Sequence, residues 1–236
     1  MILTAPEFDR LNQKLTHGFT TREPGNDYAK IADQTGLVVR NIFYLEQIHS
    51  ADVISVRKTP DQNCLGKADA IVTDVSGIMI GVKTADCIPL LACGLGEKGR
   101  PVIASIHAGW RGVLRGIIQN TMHVMVTEFG CMAGQINFVF GPCLRVKNFE
   151  FGFDDIALLE KRYPQEIVFQ DYLPERPRLD LVATAKNILM NLGCDAQKIH
   201  DINLCTYERQ DLFHSYRRGK LKGRQFSFVH LQVRDD

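Results

Sequence analysis

Short apolar stretches separated by turn residues dominate the first half of the chain, and this pattern predicts β-strands. We place these strands at residues 15–20, 52–57, 69–73, 77–83, 88–93 and 101–108. Apolar residues then recur at helical spacing and predict a helix from Arg111 to Phe129, which Gly130 should end. The prediction is completed by a strand at 136–140, helices at 154–162 and 180–192, and a closing strand at 225–233. Together these elements predict an α/β protein.

The chain shows no internal repeat and no low-complexity segment. Its Pro-rich stretch at 171–180 is typical of a surface connection within one domain. Asp180 should cap the following helix and Gly193 should end it. We therefore expect residues 1–236 to form a single domain.

Composition and charge narrow the class of protein. The chain has 236 residues, of which 45% are hydrophobic and 23% charged, the balance of an ordinary globular protein. Its 28 Lys and Arg residues are nearly balanced by 27 Asp and Glu residues, so a strongly basic nucleic-acid binder is not expected. No apolar run approaches the ~20 residues that span a bilayer. Because Glu7, Asp9 and Arg10 also interrupt the N-terminus, we expect a cytoplasmic protein without a membrane partner.

One apparent nucleotide-binding motif is misleading. Residues 94–99 match the glycine pattern of a dinucleotide fingerprint, but that fingerprint requires a helix to follow. A strand follows here instead, so these residues are predicted to form a glycine-rich hairpin loop.

The strongest chemical signal lies at three predicted strand junctions. They carry His49, Cys87 and His107, and fold geometry often exposes side chains at such junctions to ligands. Two His and one Cys are three metal ligands with one open position, as in catalytic zinc sites. A Cys–His nucleophile pair fits the same residues. The seven cysteines include no CxxC pair, so we read them as thiols, ligands or a nucleophile rather than a disulfide framework.

Motifs along nearly the whole chain resemble the family once called multicopper polyphenol oxidases or laccase-domain proteins. They are GFTTR (18–22), QIHSADV (47–53), ADAIVT (68–73), KTADCIPLL (83–91), HAGWRG (107–112), GPC (141–143), FEFG (149–152), CT (205–206), FHSYRR (213–218) and GRQ (223–225). The resemblance implies mixed β-sheets flanked by helices, the fold shared with related cysteine hydrolases. Members are described as purine nucleoside phosphorylases with adenosine deaminase activity, and some bacterial members as peptidoglycan editing factors.

The resemblance also implies a cofactor and substrates. In the family a single zinc is held at the positions of His49, Cys87 and His107. A multicopper cluster does not fit, because the chain has seven His and no HxH pair; a single blue-copper centre ranks below zinc. The implied substrates are phosphate and a purine nucleoside, either adenosine, inosine, guanosine or methylthioadenosine. We expect a monomer or weak homo-oligomer that binds no nucleic acid.

Further residues can be assigned roles around such a centre. Asp86 is the first candidate for proton transfer and Asp69 the second, with a helix cap or a hydrogen bond to the metal site as the alternative for Asp86. An anion pocket for phosphate can draw on Arg22, Arg111 and Arg217, together with the N-terminus of the helix at 111–129. Asp69 is also a candidate substrate-binding residue. For each arginine, a surface ion pair is the alternative.

Two departures from the family pattern concern the entrance to the site. The segment after Arg22 is shorter than usual, and Asn148 stands where many members carry a cysteine. Two other functions fit the same residues. One is a thiol hydrolase with Cys87 as nucleophile and His107 as base, compatible with editing of peptidoglycan precursors. The other is a non-enzymatic protein whose site binds a metal or a partner.

Overall fold

The computed structural model describes residues 1–9, 15–164, 167–170, 177–219 and 222–233. They form a single α/β domain in which two mixed sheets are flanked by helices. None of the helices in these ranges is long and apolar enough to cross a membrane.

Numbered in chain order, the described strands are β1 (Ile2–Leu3), β2 (Leu15–Thr20), β3 (Ile42–Glu46), β4 (Val53–Val56), β5 (Cys64–Lys67), β6 (Ala70–Thr73), β7 (Met79–Thr84), β8 (Ile88–Leu95), β9 (Pro101–Ala108), β10 (Asn137–Phe140), β11 (Phe169–Gln170), β12 (Arg178–Leu179), β13 (Ile199–Asp201) and β14 (Gln225–Leu231). The helices are α1 (Pro6–Asp9), α2 (Tyr28–Thr35), α3 (Trp110–Arg115), α4 (Ile117–Thr127), α5 (Phe153–Arg162), α6 (Leu181–Asn191) and α7 (Tyr216–Gly219). Single 3-10 turns lie at Val39–Asn41, Glu97–Gly99, Ala133–Gln135, Val146–Asn148 and Ala196–Lys198.

Each of the two large sheets has six strands. The first has the order β1-β2-β14-β7-β3-β5, and the second has the order β13-β10-β8-β9-β6-β4. Within the first sheet, β3 pairs in parallel with both β7 and β5. The carboxyl ends of these three strands therefore lie at the same edge of the first sheet, where the chain leaves it for the second.

The core lies in three layers on and between the sheets. Alternation along the strands sends Leu91 into the space between the sheets and its neighbour Leu90 toward the helices. The outer face of the second sheet packs against α3, α4 and α6, whereas the outer face of the first sheet packs against Ile31 of α2. The molecule is thus an α-β-β-α sandwich.

Most predicted elements are present, but the helix predicted from Arg111 to Phe129 is two helices. Gly116 separates α3 from α4 with φ 97°, a left-handed conformation that Gly adopts at no steric cost. The apolar spacing continues through this break, so periodicity alone joins the two helices. The glycine-rich residues 94–99 connect β8 to β9 as an antiparallel hairpin, as predicted.

The sequence prediction omitted several elements of the first sheet and its cover. Helix α2 lies in the segment after Arg22, which was described only as shorter than usual. Its sequence nevertheless carries the signals of a helix, because Asp27 caps it and Gly36 ends it. Strands β3 and β5 were also omitted. The predicted loop at 171–180 contains part of a small hairpin, because β12 pairs with β11; residues 171–176 lie outside the described residues.

Candidate metal centre

Three crossovers from the first sheet to the second bring the key side chains together. His49 lies between β3 and β4, Asp69 between β5 and β6, and Cys87 between β7 and β8. His107 lies near the end of β9, and its N–H donates to the Asp69 carbonyl at 2.8 Å. Parallel pairing of β7, β3 and β5 is what places the three crossovers side by side, as carboxyl ends of parallel strands form binding sites in other α/β proteins.

His49, Cys87 and His107 form one compact group. Their ligand atoms all lie within 4.8 Å of one another, and the Cys87 Sγ is 3.9 Å from the His49 Nε2. Gly109 makes room for them, because a Cβ there would be 2.9 Å from the Cys87 Sγ. These three side chains could hold a metal ion, as their residue types and their positions at strand junctions indicated.

Asp69 is buried behind this group and connects two of its members. Its side chain has no exposed surface, and its Oδ1 lies 2.7 Å from the His107 Nδ1. The same carboxylate accepts hydrogen bonds from the backbone N–H groups of Ile48, His49 and Ser50, and from the Ser50 hydroxyl. An Nδ1–H donated to Asp69 leaves the Nε2 of His107 free to bind a metal, as in other metal sites in which a carboxylate orients a histidine.

The electrostatics of the group favour a thiolate. Burial raises the pKa of the Cys87 thiol, but the adjacent His107 and His49 outweigh this effect and lower the pKa to about 6. Burial lowers the pKa of His107, but Cys87 and Asp69 raise it to about 9. A thiolate is the form of cysteine that binds metals and attacks electrophiles, so Cys87 is available for either chemistry at neutral pH.

A cavity of about 840 Å³ opens over the His-Cys-His group. It is lined by Asn26, Glu46, Gln47, His49, Lys83, Thr84, Ala85, Asp86, Cys87, His107, Trp110, Arg111, Leu144, Phe149, Leu181, Tyr216, Arg217, Lys222 and Arg224. One part of the wall is aromatic, because Trp110 and Phe149 both meet Phe151 edge to face, at centroid distances of 5.1 and 5.4 Å. The cavity has the size of a small-molecule site.

Two predicted substrate-binding arginines lie on this wall. The Arg111 guanidinium lies 4.4 Å from the centre of the Trp110 ring, and that of Arg217 lies 5.7 Å from the centre of the Phe149 ring. Across the described ranges, neither guanidinium has a carboxylate within ion-pair distance. Both positive charges are therefore available to an anionic ligand.

The other two predicted substrate-binding residues lie elsewhere. Arg22 is exposed outside the cavity wall, and its Nη1 donates to the Gln210 carbonyl at 2.9 Å. Asp69 does not line the cavity either, because it is fully buried behind His107. Neither residue is among those that line this cavity, and their predicted contact with substrate stays a prediction.

Asp86 lines the cavity beside Cys87. It also accepts a hydrogen bond from the first turn of α7, as in the helix cap that was its alternative role. Its Oδ1 accepts from the Thr206 hydroxyl at 2.6 Å, and its Oδ2 accepts from the Arg217 N–H at 2.7 Å. Asp86 therefore fixes α7, which carries Arg217, against the turn that carries Cys87.

Sequence reasoning missed several residues of the site. Gln47, Lys83, Phe149 and Lys222 line the cavity. The first three lie in the quoted motifs, and Lys222 immediately precedes the GRQ motif. Arg115 also contacts the ligand segment, because its Nη1 donates to the His49 carbonyl at 2.6 Å. Its position one turn after the HAGWRG motif was the available signal.

Fold and site define an α/β sandwich protein with a His-Cys-His group beneath a small-molecule cavity. The model of the multi-copper polyphenol oxidoreductase laccase family matches residues 3–232, and the chain belongs to this family. A purine nucleoside phosphorylase of Clostridium acetobutylicum is 31% identical over 94% of this chain and 89% of its own length. Another, from Corynebacterium glutamicum, is 33% identical over 86% of this chain and 79% of its own length.

Solved structures share the fold. The crystal structure of YlmD from Geobacillus stearothermophilus has a TM-score of 0.87 at 22% identity, covering 97% of this chain and 94% of its own. A Neisseria meningitidis protein has a TM-score of 0.81 at 26% identity, covering 99% of both chains. The sandwich and its crossovers are thus a shared architecture.

Proposed function

We propose that this protein is a zinc-dependent enzyme that acts on purine nucleosides. The reactions are phosphorolysis of adenosine, inosine, guanosine or methylthioadenosine to the base and ribose-1-phosphate, and deamination of adenosine to inosine. The observation that carries the proposal is the His-Cys-His group at the floor of a cavity whose wall holds aromatic rings and cations. Relatives named purine nucleoside phosphorylase support the substrate class.

The donor set favours zinc over copper. Two imidazoles and one thiolate with a cavity above them match a catalytic zinc site that keeps one position for a reactant. A blue-copper centre adds a weak axial Met, and no Met is among the described residues that line the cavity. A multicopper cluster needs further His ligands, and this is the sole such group found in the described part of the chain.

His49, Cys87 and His107 would hold the ion, and Asp69 would orient His107. A zinc ion supplies a Lewis acid that can activate water or polarise a substrate oxygen. The thiolate form of Cys87 is the one that ligation requires. His107 must also give up its Nε2 proton, which its raised pKa of about 9 retains at neutral pH, while its Nδ1–H stays donated to Asp69, so metal binding would release a proton. Gly109 keeps the space between the ligands open.

In phosphorolysis, the bond from the ribose C1′ to the base nitrogen breaks while a phosphate oxygen bonds to C1′. The departing base takes up a proton at the nitrogen that it frees. We assign phosphate binding to Arg111 and Arg217, whose guanidinium groups can neutralise the dianion beside the sugar. The flat rings of Trp110 and Phe149 offer apolar surface for the base.

In deamination, water adds to C6 of adenosine and ammonia leaves. A group on the cavity wall must take a proton from the water and deliver one to the leaving nitrogen. We assign this role to Asp86, which lines the cavity next to Cys87. Its hydrogen bonds from Thr206 and Arg217 hold the carboxylate in a fixed orientation, and each oxygen keeps a lone pair for a further proton.

An assay with adenosine and phosphate tests the proposal when inosine, adenine and ribose-1-phosphate are resolved as separate products. Wild type should contain one zinc per chain and form products of both reactions. His107→Ala should lose zinc and turnover together, whereas His123→Ala, which changes an exposed histidine of α4, should keep both. Absence of every product from the zinc-loaded wild type would refute the proposed activity.

A thiol hydrolase is the second candidate, and the lowered pKa of Cys87 favours it. In this function the Cys87 thiolate attacks an acyl carbon and His107 protonates the leaving group, as in Cys–His hydrolases. Editing of peptidoglycan precursors would be compatible with it. Alkylation of Cys87 separates the two functions. If the metal-free protein is fully active and alkylation of Cys87 then abolishes that activity, the hydrolase is supported. If stoichiometric zinc protects Cys87 from alkylation, the nucleoside enzyme is supported.

A further inference from the structure

Gln47 connects the segment that carries His49 to the segment that carries Cys87. Its Nε2 donates to the Lys83 carbonyl at 2.7 Å, and its Oε1 accepts from the Lys83 N–H at 2.8 Å. We propose that Gln47 is a positioning residue that sets the separation between the metal ligands His49 and Cys87. The inference rests on the proposed metal centre and concerns how its geometry is fixed.

The two hydrogen bonds take the place of strand pairing. At its start β3 pairs with β7 through Ile42 and Phe43, but further along it pairs with β5, across an irregularity between Tyr44 and Glu46. The backbone of β3 thus leaves β7 before the ligands are reached. The Gln47 amide carries both a donor and an acceptor, so it restores to Lys83 the two bonds that a neighbouring strand would make.

Both ligand segments turn sharply just beyond this contact. His49 has φ 57° and Asp86, the residue before Cys87, has φ 100°. Residues other than Gly rarely adopt such φ values, so contacts from elsewhere must stabilise each turn. The separation of the two ligands therefore depends on how the two segments are joined before they turn.

Other contacts of His49 lead away from Cys87. Its N–H donates to Asp69 and its carbonyl accepts from Arg115, so these contacts tie it to the second sheet and to α3. Apart from the contact between His49 and Cys87 themselves, the hydrogen bonds that join 47–50 to 83–87 are, in the described ranges, those of Gln47. Loss of Gln47 should therefore loosen His49 relative to Cys87 while Asp69 still fixes His49 relative to His107.

The test compares metal binding by Gln47→Met and Gln47→Glu with that of the wild type. Methionine keeps the length and loses both hydrogen bonds; glutamate keeps an acceptor for the Lys83 N–H but has no donor for its carbonyl. Asn63→Ala is the matched control, because the Asn63 amide also bonds backbone carbonyls beside β3, those of Val39 and Ile42, without touching a ligand. Zinc affinity is measured by chelator competition, and ligand geometry by the absorption spectrum of the Co²⁺-substituted protein.

Gln47→Met should bind zinc about 10- to 100-fold more weakly, the usual effect of removing a group that positions a ligand. Its Co²⁺ complex should show a weaker thiolate charge-transfer band, and Asn63→Ala should match wild type in both measurements. Wild-type affinity and spectrum in Gln47→Met would overturn the inference. If Gln47→Met does not fold, Gln47→Glu decides in the same way. A wild type that binds no zinc would instead refute the metal centre itself.

Discussion

Replacement of Asp69 by Asn tests whether the buried carboxylate organises the site. Asn has nearly the shape of Asp but carries one acceptor oxygen and one NH₂ group. If its oxygen faces His107, its NH₂ opposes the N–H of Ser50. If its oxygen faces Ser50, His107 must accept at Nδ1 and carry its proton on Nε2, the atom that would bind the metal.

The structure gives the size of the effect on stability. Burial raises the pKa of the Asp69 carboxyl, but hydrogen bonds from His107 and Ser50 outweigh it and lower the pKa from 3.8 to about 2. A carboxyl whose pKa is lower in the folded state stabilises the fold above pH ~4, here by about 2 kcal/mol, and this is lost as the pH falls through about 2. An opposed buried N–H adds about 1–3 kcal/mol, so Asp69→Asn should cost about 3–5 kcal/mol at pH 7.

Urea unfolding at pH 7 and zinc competition measure the two consequences. Asp69→Asn should unfold at a lower urea concentration and bind zinc about 10- to 100-fold more weakly. Ser50→Ala is the control: it removes the hydroxyl bond to the same carboxylate, should cost about 1 kcal/mol and should keep the zinc affinity. The reasoning is refuted if Asp69→Asn keeps both the wild-type urea midpoint and the wild-type affinity.

Two other substitutions probe the site and the core. Gly109→Ala should displace the Cys87 Sγ and weaken zinc binding, because the new Cβ would lie 2.9 Å from that sulfur. Gly134→Ala is the control and should keep the affinity, because its Cβ would lie 3.5 Å from its nearest atom. Equal zinc affinities of the two variants in a chelator titration would contradict this. Burial lowers the pKa of His230 from 6.5 to about 4, so below pH 6.5 the unfolded chain binds a proton that the folded chain does not. Stability should therefore fall by about 3 kcal/mol between pH 6.5 and 4 in urea unfolding, and His230→Gln should remove this loss while the exposed-site control His123→Gln retains it.

The three candidate ligands could be located from sequence because each lies at or near the end of a predicted strand; His49 shortly precedes the one predicted at 52–57. His107 ends the strand predicted at 101–108, and Cys87 precedes the one predicted at 88–93, so both predictions depended on strong signals. The positions of Asp69 and Gln47 could not be found in this way. Their roles depend on which strands are neighbours in the first sheet, and β3 and β5 were missing from the prediction.

Local signals were misread elsewhere for physical reasons. Gly116 interrupts a helix inside a continuous apolar stripe, because both halves pack against the same sheet and need the same apolar positions. Asp69 was considered for proton transfer and substrate binding because proton transfer in deamination needs a carboxylate within reach. Its burial depends on donors from Ser50 and His107, which adjoin it only after the sheets have packed.

A metal ion bound at the proposed centre would also have a mechanical role. His49 and Cys87 leave the first sheet where the chain passes to the second, and His107 belongs to the second sheet. An ion held by these three side chains would cross-link the two sheets at one edge. Removal of the ion would then lower the stability of the folded protein as well as its activity, because the cross-link between the sheets would be lost.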